Sequence, residues 1–198
     1  MQMYLVETKT TCDADKMWLM NFRSKYACPE CRMRYRQTFA QAIDVVIDEP
    51  PGSAAINCVA PPFINFVRCD FLELFADVLQ EDMHLGRVFR HGKLLEQYQT
   101  ITSENRLIIR GQERVYTRTC PSCGGFIYWP GEPCGWYVLR SLLIDKTFYM
   151  SSEGGFIMTG ELRTRIEKGR WKGILISKLP VLDAPRDGLE EIPETLMF

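Results

Sequence analysis

Cys120-Pro121-Ser122-Cys123-Gly124-Gly125 and, roughly ninety residues upstream, Cys28-Pro29-Glu30-Cys31 decide how this chain is read. A Cys-x-x-Cys turn directs two thiolates into one space, about the spacing that tetrahedral zinc takes. Proline after the first cysteine stiffens each turn. Gly124 and Gly125 allow a sharp bend that frees backbone N–H groups toward sulfur. Two such pairs supply four sulfurs, the full set of a closed structural site, and paired motifs of this kind are a strong signal. The expectation is that Cys28, Cys31, Cys120 and Cys123 hold one zinc per chain, pinning the N-terminal region to the middle of the sequence.

Two other uses of these thiols stay open. Cys120, Cys123 and Cys134 could share a metal with a histidine, His84 or His91. Alternatively, a Cys-x-x-Cys pair can work as a redox dithiol when a helix N-terminus lowers a thiol pKa. Gly-Gly after Cys123 is a poor helix start, and both pairs stand in turn-rich, Arg-flanked contexts, which disfavours redox chemistry.

Composition narrows the class. In 198 residues, 46% hydrophobic and 12% aromatic content suit a globular chain with one core, or two small lobes sharing one. A net charge of −1 supplies no overall basic field, so a nucleic-acid partner would need a local patch. No run of eighteen apolar residues is present, which argues against a membrane helix. The opening Met1-Gln2-Met3-Tyr4-Leu5-Val6-Glu7 lacks a basic n-region, so no export signal and a cytoplasmic location are expected. In a reducing compartment, eight cysteines read as ligands and buried thiols rather than as disulfides. Cys12, Cys58, Cys69 and Cys134 then read as small buried apolar groups.

Local pattern predicts strands at 3–7, 42–47, 63–67, 126–129, 155–158 and 173–176, with 86–111 β-like and 17–22 read as a further strand. Ser103-Glu104-Asn105 is read as the turn of a hairpin leading into Arg106–Arg110. Asp70 is read as the cap of a helix carrying Phe71, Leu74, Phe75 and Val78 at helical spacing. Thr159 is the N-cap candidate and Gly169 the C-cap candidate of a second helix with Leu162, Ile166 and Trp171 on its face. Pro130-Gly131-Glu132-Pro133 reads as a turn. Phe63–Phe75 and Phe156–Ile166 echo each other, each running from an apolar strand into a short amphipathic helix.

Arg32, Arg34 and Arg36, and farther on Arg106, Arg110, Arg114 and Arg118, flank the two cysteine pairs. They read first as solvated strand faces and second as phosphate- or acid-binding strips. No Gly-x-Ser-x-Gly elbow, P-loop or dinucleotide fingerprint occurs. His84 and His91 stand in a polar stretch, aligned with no particular thiol, so a non-enzyme is expected.

The layout resembles the double-CXXCG-motif proteins of myxobacteria and other bacteria. The likeness rests on two Cys-x-x-Cys knuckles and on a terminal unit, Phe156-Ile157-Met158-Thr159-Gly160-Glu161-Leu162 with Trp171-Lys172-Gly173-Ile174. Cys120-Pro-Ser-Cys-Gly fits the pattern fully, whereas Arg32 replaces the glycine after Cys31. That family includes Sit-type immunity proteins, which neutralise a toxin delivered between neighbouring kin cells. The resemblance implies a cytoplasmic immunity protein whose partner is a cognate toxin, with the four cysteines as a structural metal site. A zinc-ribbon-like nucleic-acid binder or regulator is the alternative. The expected fold is α+β, mostly antiparallel strands with a few short helices, stapled by a zinc site of four cysteines. One domain is expected over 1–182, and an exposed, partly mobile tail over 183–198.

Overall fold

The computed structural model describes residues 2–30, 41–59, 64–78, 83–103, 105–107, 109–122, 126–144, 146–151 and 155–184, with the backbone alone at 106, 110–119 and 126–134. In chain order, β1 (Met3–Thr8) and β2 (Thr11–Cys12) lead into α1 (Lys16–Tyr26). β3 (Val45–Ile47), β4 (Ile56–Val59) and β5 (Ile64–Arg68) follow, and β5 runs directly into α2 (Cys69–Leu72) and a 3₁₀ turn, Glu73–Phe75. Next come β6 (Met83–Arg90), β7 (Lys93–Ser103), β8 (Arg106–Leu107), β9 (Arg110–Thr119) and β10 (Phe126–Leu139). A second 3₁₀ turn, Arg140–Leu142, precedes β11 (Phe148–Ser151), β12 (Phe156–Thr159), α3 (Gly160–Gly169), β13 (Ile174–Leu179) and β14 (Val181–Leu182). The fold is α+β, strand-rich with few and short helices.

β1 is an interior strand of the central sheet, ordered β13-β1-β12-β11-β8. Strands β1, β11 and β12 read as nearly continuous apolar runs because both faces are covered. Val6, Phe148, Met150, Phe156 and Met158 face one core, shared with α2, α3 and the second sheet. Met3, Leu5, Tyr149 and Ile157 face the opposite core, which Val138 of β10 helps to close. Period-two alternation along β1, β11 and β12 thus feeds two cores at once.

The second sheet, β2-β4-β5-β7-β6-β3, closes on itself. Just past β2, Ala14 bridges Ile47 of β3, the Asp15 N–H donates to the Val46 carbonyl at 2.9 Å, and the Asp48 N–H to that of Asp13 at 3.1 Å. Cys12, Val45, Ile47, Val59, Ile64, Phe66 and Val88 fill the resulting ring, and Phe22 of α1 joins the same core. A closed ladder leaves no free edge at that seam. The third sheet is β14-β10-β9.

Several expectations are corrected here. Residues 17–22 belong to helix α1, not to a strand. Asp70 lies inside the first turn of α2, whose N-cap is Arg68; the Asp70 carboxylate forms an ion pair with that arginine. Ser103 and Asn105 do not turn a hairpin, because β8 pairs in parallel with β11. The hairpin in that region joins β6 to β7 at His91-Gly92, where φ is +47° and +73°, the left-handed geometry of a tight primed turn. Pro130–Pro133 stays within β10, and the ladder to β9 absorbs it as register shifts. Gly169 is the last helical residue of α3, and Arg170 takes the left-handed C-cap at φ +49°. Trp171 lies beyond the end of α3 and not on its helical face, because the left-handed Arg170 turns the chain back, and a side chain at 169 would collide with its indole, which accounts for glycine there. Thr159 does occupy the N-cap, without a side-chain capping bond. At the chain end, Asp183 pairs with Arg140 at 2.6 Å, and 185–198 lie outside the described residues.

The sequence echo has a structural counterpart. β4-β5 and β11-β12 are each an antiparallel pair of neighbouring strands followed by a helix and then a strand one place beyond an intervening neighbour. The intervening strand is β7 in one case and β1 in the other.

Candidate metal centre

Helix α1 is placed by its own sequence. The Asp15 carboxylate accepts the Trp18 N–H at 2.8 Å, satisfying one of the orphan donors of the first turn. Trp18, Phe22 and Tyr26 recur every four residues, so their rings fall on one face, with centroids 4.9 Å apart in both pairs. The Trp18 indole N–H donates to the Asp44 carbonyl at 3.0 Å, fastening the helix to the segment before β3. Ala27 ends the helix: its N–H still bonds the Arg23 carbonyl, but its ψ of 148° is extended. That change of direction sends Cys28 inward, 1% exposed, while Pro29 and Glu30 form an exposed turn.

From the other side, β9 stops at Thr119 and delivers Cys120, also 1% exposed, ahead of the exposed turn Pro121-Ser122. The first cysteines of the two pairs therefore converge. Cys28 Sγ lies 3.8 Å from Cys120 Sγ across 92 residues of chain. A disulfide would bring the sulfurs to about 2.05 Å. Two thiolates on one tetrahedral zinc, each about 2.3 Å from the metal, are about 3.8 Å apart. A soft all-sulfur donor set at this separation fits zinc.

Cys31 and Cys123, the other two expected ligands, lie outside the described residues, as does the side chain of Cys134. Among the described residues no three His, Cys, Asp or Glu side chains gather as a metal-holding group, so neither His84 in β6 nor His91 in the β6–β7 turn joins the Cys28–Cys120 pair in one.

The remaining described thiols are of a different kind. Burial pushes the Cys58 thiol up to about 12, with the neighbouring Cys12 adding to the shift. Burial likewise raises Cys12 above the usual thiol range. Cys69 is only partly buried; it donates to the Glu96 carbonyl at 3.3 Å and is raised first by desolvation, then by Asp70 and Glu73. Raised thiols stay protonated at neutral pH and are poor ligands and nucleophiles.

The basic strips are only partly visible. Arg32, Arg34 and Arg36 lie outside the described residues. The backbone places Arg110, Arg114 and Arg118 on β9, but a register shift between Arg118 and Tyr116 interrupts their even spacing. Trp136 packs against the core beneath β1. What the sequence reading missed is α1 itself as a surface helix, although Asp15 and the four-residue aromatic spacing signal it. Beside it, an open groove of about 600 Å³ runs between α1 and β6, edged by Tyr26, Leu85 and Arg87.

No protein-family model matches the chain, and no curated protein sequence matches it.

Proposed function

We propose that this chain is a cytoplasmic immunity protein that binds and neutralises a cognate bacterial toxin, built around one structural zinc held by Cys28, Cys31, Cys120 and Cys123. The observation that carries the metal reading is the buried 3.8 Å approach of Cys28 to Cys120, each just ahead of an exposed turn. Bound there, zinc supplies cross-linking: it would tie the C-terminal end of α1 to the end of β9. Four thiolates would close its shell, leaving no position for substrate or activated water. The reading assigns no catalytic residue, and function falls to a surface held rigid by the clasp.

The toxin reading is supported by the resemblance of the two knuckles and the Phe156–Ile174 unit to the double-CXXCG-motif immunity proteins. Co-expression with the toxin encoded in the neighbouring gene tests it. A stable complex and survival of the producing cells are expected, and neither appearing would sink the reading. Native mass spectrometry tests the metal separately, with one zinc per chain as the expected result.

A second reading, a zinc-ribbon-like nucleic-acid binder, is favoured by one feature, the delivery of Arg110, Arg114 and Arg118 along β9 into the Cys120 turn. It requires affinity for DNA or RNA that falls steeply with salt as counterions are released. No retention at any salt concentration removes it.

A further inference from the structure

The outward face of α1 differs from the rest of the described surface. Met17 and Met20, each 64% exposed, are the most exposed large apolar residues described, and at i, i+3 they share one face. Ser24, one turn beyond Met20, extends that stripe with a small side chain whose hydroxyl donates to the Asn21 carbonyl. At 100° per residue, Lys16 and Arg23 fall along one side of the stripe and Lys25 along the other. The helix contains no acidic residue.

Arg68, Arg87, Arg140, Arg163 and Arg165 all form ion pairs with carboxylates of this chain. Lys16, Arg23 and Lys25 have no ion pair among the described residues, a state they share with Lys9, Lys93, Lys168, Arg170, Lys172 and Lys178; what sets them apart is that all three stand on one acid-free helix beside two exposed methionines, with Lys25 over the Tyr26 ring. An apolar methionine stripe fenced on both sides by uncompensated cations is complementary to an apolar ridge fenced by carboxylates. Methionine, flexible and polarizable, adapts to such a ridge.

We propose that the outer face of α1 is the docking surface for an acidic protein partner, with Met17 and Met20 as apolar anchors and Lys16, Arg23 and Lys25 as the charged rim. A second copy of this chain is the wrong occupant, because a two-fold contact would set the same cations against themselves. Nucleic acid matches the rim but not the methionine centre. The helix is presented rigidly, because Asp15 caps its start, Trp18 is bonded to Asp44, and Cys28 follows its end. The inference rests on the immunity reading, since it identifies the face on which the toxin would be met.

The test uses the full zinc-loaded chain and the toxin encoded in the neighbouring gene. Met17→Glu/Met20→Glu and Lys16→Glu/Arg23→Glu/Lys25→Glu are each expected to weaken the complex at least about a hundredfold, given what central anchors and steering charges contribute. Ile144→Glu, at another exposed apolar site, should bind like the wild type. Circular dichroism and zinc content should stay unchanged in all three, and Met17→Ala/Met20→Ala serves as a milder pair if a glutamate variant fails to fold. Wild-type affinity in the α1 variants overturns this inference and leaves the immunity reading standing. Absence of any wild-type complex overturns both. Retention of the wild type, but not the α1 variants, on phosphatidylglycerol-containing vesicles or as a self-associated dimer would also overturn the assignment to a protein partner.

Discussion

The Asp44 carboxylate takes hold of Arg87 twice. One oxygen accepts the Arg87 backbone N–H at 2.8 Å, and the other accepts Nε at 3.1 Å and Nη2 at 2.7 Å. A single side chain ahead of β3 thereby fixes both the backbone and the guanidinium of β6. The Arg87 side-chain bonds hold the Asp44 carboxyl below the usual carboxylate range, against a smaller desolvation effect.

A pH dependence with a definite sign follows. A depressed folded pKa means that the stabilisation is complete above the unfolded value, about 3.9, and is lost as pH falls through the lower folded value. Asp44→Asn should therefore lower the urea midpoint at pH 6, and the gap to wild type should narrow as pH falls below the ordinary carboxylate range and through the lowered folded value. A gap independent of pH would show that Asp44 acts through shape rather than charge.

Removing the proposed zinc should be costly. A metal present at a hundredfold over its dissociation constant adds about 2.7 kcal/mol to the folded state. For a chain of this length that corresponds to a Tm change of about 5–10 °C. Cys28→Ser and Cys120→Ser should each abolish bound zinc and lower Tm by at least that much, and chelation of the wild type should do the same. Cys58→Ser should keep its zinc, as measured by mass and scanning calorimetry.

Gly86 sits where two elements touch. A Cβ there would collide with the Ile43 carbonyl oxygen and with Thr100 Oγ1. The Thr100 hydroxyl already donates to Ile43 O at 2.6 Å and accepts the Gly86 N–H at 3.1 Å, so neither neighbour can retreat without breaking that bridge. Gly86→Ala should destabilise by about 3 kcal/mol in denaturant unfolding, near the upper end for overpacking. A neutral substitution would refute the close approach.

Thiol reactivity should rank by environment. At pH 8 the native chain is expected to alkylate at Cys69 well before Cys12 or Cys58, because Cys69 is the one partly exposed thiol of the three and the Cys58 thiol titrates only near 12. Peptide mapping after timed iodoacetamide treatment reads this order. Equal labelling of Cys58 and Cys69 would contradict the buried placement of β4.

The strands legible in the sequence are those whose partners do not matter to their pattern. Met3–Thr8 and Phe156–Thr159 are apolar and rich in β-formers whichever neighbours they meet. Pairing is a different matter, because the parallel contact of β8 with β11 depends on residues more than forty positions apart. Helix α1 escaped notice because a six-residue window, 17–22, contains Trp18 and Phe22 but cuts off Asp15 and Tyr26, the cap and the third aromatic that reveal the period. The cysteine pairs were legible from spacing alone. That Cys28 and Cys120 share one place was expected from the count of four sulfurs; how they come together, through the end of α1 and the end of β9 reaching one point, is carried by the fold and not by spacing.

β1 is synthesised long before the two strands that flank it, β12 and β13. Until residues 156–179 have left the ribosome, both edges of this strand are unpaired, and its two apolar faces have lost a wall each. The nascent chain must therefore carry an adhesive segment through most of its translation. The six-stranded ring can close earlier, since its last strand ends at Ser103. Synthesis from the N-terminus thus makes all strands of the ring available before the central sheet can be completed around β1.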